Sequence, residues 1–137
     1  TSAPRQLAKT LSGKRVVWSD PNDYGNAYGM MILRRAQELL GSGNPVEYLA
    51  DDEETVQALT RPADLLVTNW GHATQRAVQL LNRIREKGIN VPWIVFAAPG
   101  KEALLNKPVA MSMGAAAYCT SWESLFSEIE RVLGPHT

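Results

Sequence analysis

Asp64-Leu65-Leu66-Val67-Thr68-Asn69 is the stretch that decides the fold. Leu65, Leu66 and Val67 are consecutive aliphatic residues, so neither face of the segment is polar. That suits a central strand covered on both sides. Pro62 precedes it, and Trp70-Gly71-His72 reads as the loop after it. A helical pattern then runs from about Ala73 to Lys87, with Ala77, Leu80, Leu81 and Ile84 on one side. Gly88 ends it. A strand buried on both faces and followed by an amphipathic helix is one βα unit of a parallel sheet.

The same unit repeats in both directions. Toward the N-terminus, Arg15-Val16-Val17-Trp18-Ser19 reads as a strand stopped by the turn cluster Asp20-Pro21-Asn22-Asp23. A helix is expected over Asn26 to Leu40, with Met30, Leu33 and Leu40 beside Ile32, Ala36 and Leu39 at three- and four-residue spacing. Gly41-Ser42-Gly43 closes it. Val46 to Ala50 is the next strand. Asp51 then reads as an N-cap, with Glu54 three residues on in a capping-box arrangement. The short helix that follows carries Val56 and Leu59.

Toward the C-terminus, Pro92-Trp93-Ile94-Val95-Phe96-Ala97 is a strand, followed by Pro99-Gly100. Lys101 to Met113 is helical by composition but contains Pro108. Proline in a helix interior costs about 3 kcal/mol. A break near Lys107 is expected, or a second short helix opening at Pro108. Ala115 to Thr120 is the last strand. Ser121 caps a final helix, with Ser124 three residues on and Leu125, Ile129 and Val132 facing inward. The count is five strands and five helical segments. Right-handed crossovers then give an α/β, flavodoxin-like, doubly wound sheet in the order 2-1-3-4-5.

Composition bounds the rest. The chain has 137 residues, 45% hydrophobic and 20% charged, which is enough for one domain with a sizeable core. Residues 1–13 read as a lead-in or linker, 14–134 as the domain and 135–137 as a tail. With no initiator Met, the chain is expected to be part of a longer protein. Lys plus Arg equals Asp plus Glu at 14 each, so no basic surplus favours nucleic acid. Cys119 stands alone, which excludes an internal disulfide and a four-cysteine zinc site and fits a reducing cytoplasm. No apolar run approaches the roughly 20 residues of a membrane span. The first residues lack the apolar core of a signal peptide.

In a doubly wound sheet, ligands sit outside the carboxyl ends of the strands at the switch point. That places Ser19, Asp20, Pro21, Asn69, Trp70, Ala97, Ala98 and Ser121 at the candidate site. At these residues the chain resembles the receiver domain of bacterial response regulators, over about residues 14–134. Gly114-Ala115-Ala116-Ala117-Tyr118 is similar to that family's Gly-Ala-x-x-Tyr stretch. The resemblance implies a paired acid site for Mg²⁺ after strand one and a phosphoacceptor aspartate ending strand three. It also implies a hydroxyl ending strand four and a lysine ending strand five. The cation is held by carboxylate oxygens, and fixed donors meet the developing charge.

The residues depart from that pattern. Asp20 matches the first acid, but Pro21 stands at the second. Asn69 stands at the phosphoacceptor, and its amide is a poor nucleophile without charge. Ala97 stands at the hydroxyl and Ser121 at the lysine. The resemblance is therefore to a pseudo-receiver with a degenerate phosphorylation pocket. It implies an interaction face made by Lys101 to Met113, Tyr118 to Ser121 and Trp122 to Arg131. The residues put forward there are Lys101, Lys107, Met111, Tyr118, Trp122 and Phe126.

Other chemistries fit less well. Asp20 and Asn69 make a poor cation site, so no metal is expected. Ser19, His72 and Asp20 lack a Gly-x-Ser-x-Gly elbow. Gly25 and Gly29 do not form a dinucleotide fingerprint. The acidic turn after strand one would repel a flavin phosphate, so no cofactor is expected. Trp70 and Trp122 either fill the emptied pocket or anchor a partner, since Trp is enriched at binding hot spots. The reading is a non-enzymatic, phosphorylation-independent bacterial signalling module in the cytoplasm. It would act on a protein partner or on other domains of its own chain, and self-association is compatible with zero net charge. No nucleic-acid or membrane contact is expected. The alternative is a sensor whose altered pocket takes a small molecule or nucleotide.

Overall fold

The computed structural model describes residues 14–19, 47–49, 51–70, 74–97 and 100–133. The lead-in over 1–13, the helix expected over 26–40, the tail over 135–137, and Asp20, Pro21, His72 and Ala98 lie outside the described residues. Within them the strands are β1 (Val16–Ser19), β2 (Glu47–Leu49), β3 (Leu65–Asn69), β4 (Trp93–Phe96) and β5 (Ala117–Cys119). The helices are α1 (Asp52–Ala58), α2 (Thr74–Glu86), α3 (Lys101–Met113) and α4 (Trp122–Leu133). The strands form one parallel sheet in the order β2-β1-β3-β4-β5.

Both faces of the sheet are covered, which is why Leu65, Leu66 and Val67 are all 0% exposed. Alternate residues divide between two cores. Val16, Trp18, Leu65, Val67, Ile94 and Phe96 meet Leu125 and Ile129 of α4. Trp18 packs edge-on against Phe96, with ring centroids 5.9 Å apart. On the other face, Val17, Leu66 and Val95 meet Val56 of α1, Leu80 and Ile84 of α2, and Ala110 of α3. No helix among the described residues is long and apolar enough to cross a membrane.

Local chemistry sets the ends. The Asp51 side chain accepts from Glu53 N at 2.7 Å and starts α1. The Ser121 hydroxyl accepts from Ser124 N at 3.1 Å and starts α4. Gly88 (φ +73°) and Gly114 (φ +107°) follow α2 and α3 in backbone conformations that L side chains rarely adopt. Arg15 clamps the opposite end of the sheet. Its guanidinium donates to both Glu47 oxygens and to the carbonyls of Ala58, Arg61 and Pro62, while its backbone N–H donates to Asp64.

Pro108 requires a correction. The expected break near Lys107 is absent, and α3 runs unbroken from Lys101 to Met113 with Pro108 inside it. The lost N–H would have bonded the carbonyl of Leu104. Leu104 is 78% exposed and Pro108 is also exposed, so water can reach this turn. The missing bond is thereby cheaper than it would be in a core. The charged residues of α2 also bear on helix packing. Arg83 pairs with Glu53 of α1, and Arg85 donates to the carbonyl of Met113 at 2.6 Å. They tie helices together rather than forming only a solvated face.

Candidate functional site

Strand register brings the candidate residues to one edge. Ser19 stands opposite Thr68, and Asn69 stands opposite Phe96. Trp70 N donates to the carbonyl of Phe96 at 3.2 Å, and Ala97 N donates to that of Cys119 at 3.0 Å. Ser19 and Asn69 therefore end two adjacent strands, Ala97 directly follows the end of a third, and Ser121 lies two residues beyond β5.

The described part of this edge carries no ionisable side chain. Ser19 and Thr68 bring buried hydroxyls, 1% exposed each, and Ala97 brings a buried methyl. The Ser121 hydroxyl already caps α4, so it serves the helix backbone and cannot supply a cation to an anionic ligand. A hard divalent ion takes carboxylate and carbonyl oxygens. Among the described residues no three His, Cys, Asp or Glu side chains gather to hold one. Among the described residues, the groups available here are neutral hydrogen-bonding groups.

Trp70 does not stand out as an exposed anchor. It is 1% exposed and stacks on Trp93, with centroids 6.1 Å apart and ring planes at 22°. Its Nε1 is buried without a hydrogen-bond partner. The ring fills the core between the sheet and helices α2 and α3. The side chain of Trp122 lies outside the described residues. Cys119 is fully buried in β5, and burial pushes its thiol above the ordinary 9.0, only partly offset by a hydrogen bond with Ser124.

The residues put forward for the interaction face fall into two groups. Lys101, Lys107 and Met111 are exposed on α3. Tyr118 and Phe126 are half-buried and pack against the two cores. The most exposed large apolar side chains were not singled out from sequence. They are Leu104 at 78% and Leu105 at 73%, ahead of Val109 and of the Met111 already put forward, both above 40%. The available signal was the absence of a polar stripe on this helix, since a surface helix ordinarily keeps one.

Two grooves lie elsewhere, at the opposite end of the sheet. One of about 590 Å³ is lined by Leu59, Pro62, Ala63, Ile89 and Val91. The other, of about 560 Å³, runs past Arg85, Pro92 and Met113.

The sequence matches no protein-family model and no curated protein. Solved structures do match. The receiver domain of a Francisella response regulator superposes with a TM-score of 0.63 at 19% identity, covering 88% of this chain and 96% of that one. A response regulator receiver protein from Burkholderia phymatum gives 0.64 at 20% identity, covering 90% and 98%. A response regulator protein from Burkholderia multivorans gives 0.57 at 20%, with the same coverage. The fold is that of a receiver domain. Asn69 ends β3, the central strand of the sheet, and β5 is an edge strand preceded by α3 and followed by α4.

Proposed function

We propose that this chain is a receiver-like signalling module, cytoplasmic and non-enzymatic, that acts through protein–protein contact without being phosphorylated. One observation carries the reading: the strand that should end in a nucleophilic carboxylate ends in Asn69. Thr68 before it in the same strand, and Ser19 and Ala97 at the ends of the adjoining strands, are neutral. Phosphoryl transfer needs a nucleophile and fixed positive charge for the developing anion, and these positions offer neither. The flank formed by α3, β5 and α4 supports contact with a protein, because its outer helix exposes leucines where a solvated helix would carry charge.

The test is a titration with Mg²⁺ and beryllofluoride, followed by amide NMR at Asp20, Asn69, Ala97 and Ser121. Beryllofluoride mimics an aspartyl phosphate and needs a carboxylate to attach to. No saturable shift is expected at millimolar Mg²⁺. Shifts that saturate and spread to Tyr118 and α3 would refute the reading. A saturable rise in Tm with a nucleotide or metabolite would instead favour the sensor, because a ligand that binds only the native state stabilises it by mass action.

A further inference from the structure

We propose that residues 5–9 of the chain's own lead-in add to β2 as a further, antiparallel strand, with Leu7 seated in the groove between β2 and α1. The site is at the opposite edge of the sheet from β5, and it stands whether or not the chain is phosphorylated.

The first observation is an open edge. β2 is an outer strand, and among the described residues it pairs with β1 alone. Backbone N–H and C=O groups on the outer side of an edge strand are a template for one more strand. The side chains beside this edge leave room for it. Glu47 and Leu49 stand opposite Val17 and Ser19, on the face covered by α1. Leu49 is half-buried, and with Glu53, Glu54 and Gln57 it lines a groove of about 340 Å³. An aliphatic side chain entering from the edge would complete the packing that Leu49 begins.

The second observation is reach. The lead-in joins the domain at Lys14, where β1 begins next to β2. Glu47 lies level with Val17, three residues on from Lys14, or about 10 Å along the strand. Passing under β2 to its outer side adds two strand spacings, again about 10 Å. The straight path from Lys14 to a residue opposite Glu47 is thus about 14 Å. Five residue steps cover up to about 17 Å, which puts Lys9 opposite Glu47. Ser12-Gly13 supplies turn residues for the crossing. A tether this short holds the segment at an effective concentration on the order of 1 mM. That favours the chain's own segment over a foreign strand.

The third observation is charge. Residues 1–19 contain Arg5, Lys9, Lys14 and Arg15 and no acid, while residues 51–60 contain Asp51, Asp52, Glu53 and Glu54 and no base. Arg5, Leu7 and Lys9 alternate, so an extended segment shows all three on one face. With Lys9 opposite Glu47, Leu7 falls opposite Leu49 and Arg5 opposite Asp51. Glu53 already pairs with Arg83, and exposed Asp51 and Glu54 are left for Arg5. Glu47 holds Arg15 and lies 3.5 Å from Arg61, so Lys9 adds nothing by charge. The contribution is therefore placed on Arg5 and Leu7, and not on basic residues in general.

Amide hydrogen exchange on the intact chain tests the docking. Exchange within residues 6–8 should be about 10-fold slower than in Leu7→Asp, with Arg5→Glu removing most of the protection and Lys9→Ala leaving it. A disulfide trap tests the register. Leu7→Cys with Leu49→Cys should close within one chain under oxidised glutathione at low micromolar protein. Lys9→Cys with Leu49→Cys, out of register, should close about 10-fold more slowly, and Cys119 is buried and does not compete. Equal exchange in the wild type and Leu7→Asp overturns the proposal, as does protection indifferent to Arg5→Glu. Equal closure of the two cysteine pairs overturns the register, and a disulfide that links only separate chains overturns docking within one chain.

Discussion

Replacing Arg15 by Ala should cost about 2–3 kcal/mol. The guanidinium makes five hydrogen bonds. Those to the carbonyls of Arg61 and Pro62 are exposed, and water replaces them at little cost. The other three are part-buried: two to Glu47, at 3.2 and 2.9 Å, and one to Ala58 O at 2.7 Å. Hydrogen bonds to a charged donor are worth about 1.5–3 kcal/mol each. The low end applies, because the two side chains are 20% and 31% exposed. Releasing the ordered arginine returns up to about 2 kcal/mol of side-chain entropy. Arg61, at 3.5 Å from Glu47, keeps that carboxylate partly compensated. The net loss corresponds to roughly 8–12 °C in Tm for a chain of this size.

Urea unfolding of the wild type, Arg15→Ala, Arg15→Lys and Glu47→Gln, with the double variant, checks both the size and the geometry of the effect. Arg15→Lys should recover less than half of the loss, because one ammonium cannot reach both Glu47 and the end of α1. The Arg15–Glu47 coupling should be about 1 kcal/mol. A loss below about 0.5 kcal/mol in Arg15→Ala, or full recovery with lysine, would refute the view that this fork joins β1, β2 and α1.

Pro108→Ala, measured at low micromolar concentration, should stabilise the chain by about 1–3 kcal/mol, since it restores a helix hydrogen bond to Leu104; an unchanged or lower Tm would contradict the account of α3. Trp70→Phe should change stability by less than about 1 kcal/mol, because losing an unpartnered buried donor offsets the lost ring volume; a loss above about 3 kcal/mol would mean that Nε1 has an acceptor. For Cys119, the folded thiol titrates above 9.0. Its contribution to stability is therefore intact below that pH and falls as pH rises through the higher folded value. Cys119→Ala should remove that alkaline decline in a pH series of Tm, and a decline left untouched would assign it to another group.

The parallel α/β class was legible because burial on both faces writes itself as aliphatic runs. Leu65–Val67 and Ile94–Phe96 needed no knowledge of their neighbours. The caps at Asp51 and Ser121 were legible for the same local reason: each bonds a backbone N–H two or three residues on. Pro108 misled because the cost of a missing hydrogen bond depends on whether water reaches the freed carbonyl, which is a tertiary fact. Trp70 was ambiguous on similar grounds. Its position after β3 placed it beside the site, while its ring leans back onto Trp93, which sits at the other end of β4. At the candidate site the neutral residues Asn69, Ala97 and Ser121 were plain from the sequence. The sequence could not show that α3 turns its leucines outward.

The Trp70–Trp93 stack gives the molecule an optical gauge. Two indoles at 6.1 Å and 22° are close enough for their transitions to couple, so the pair should give a split signal in circular dichroism that neither ring produces alone. The coupling falls steeply with separation. The rings lie in the core bounded by α2 and α3, so any event at the outer helix that shifts this layer would change the signal. A binding partner could thus be followed by light absorbed inside the protein, without attaching a label to the surface under study.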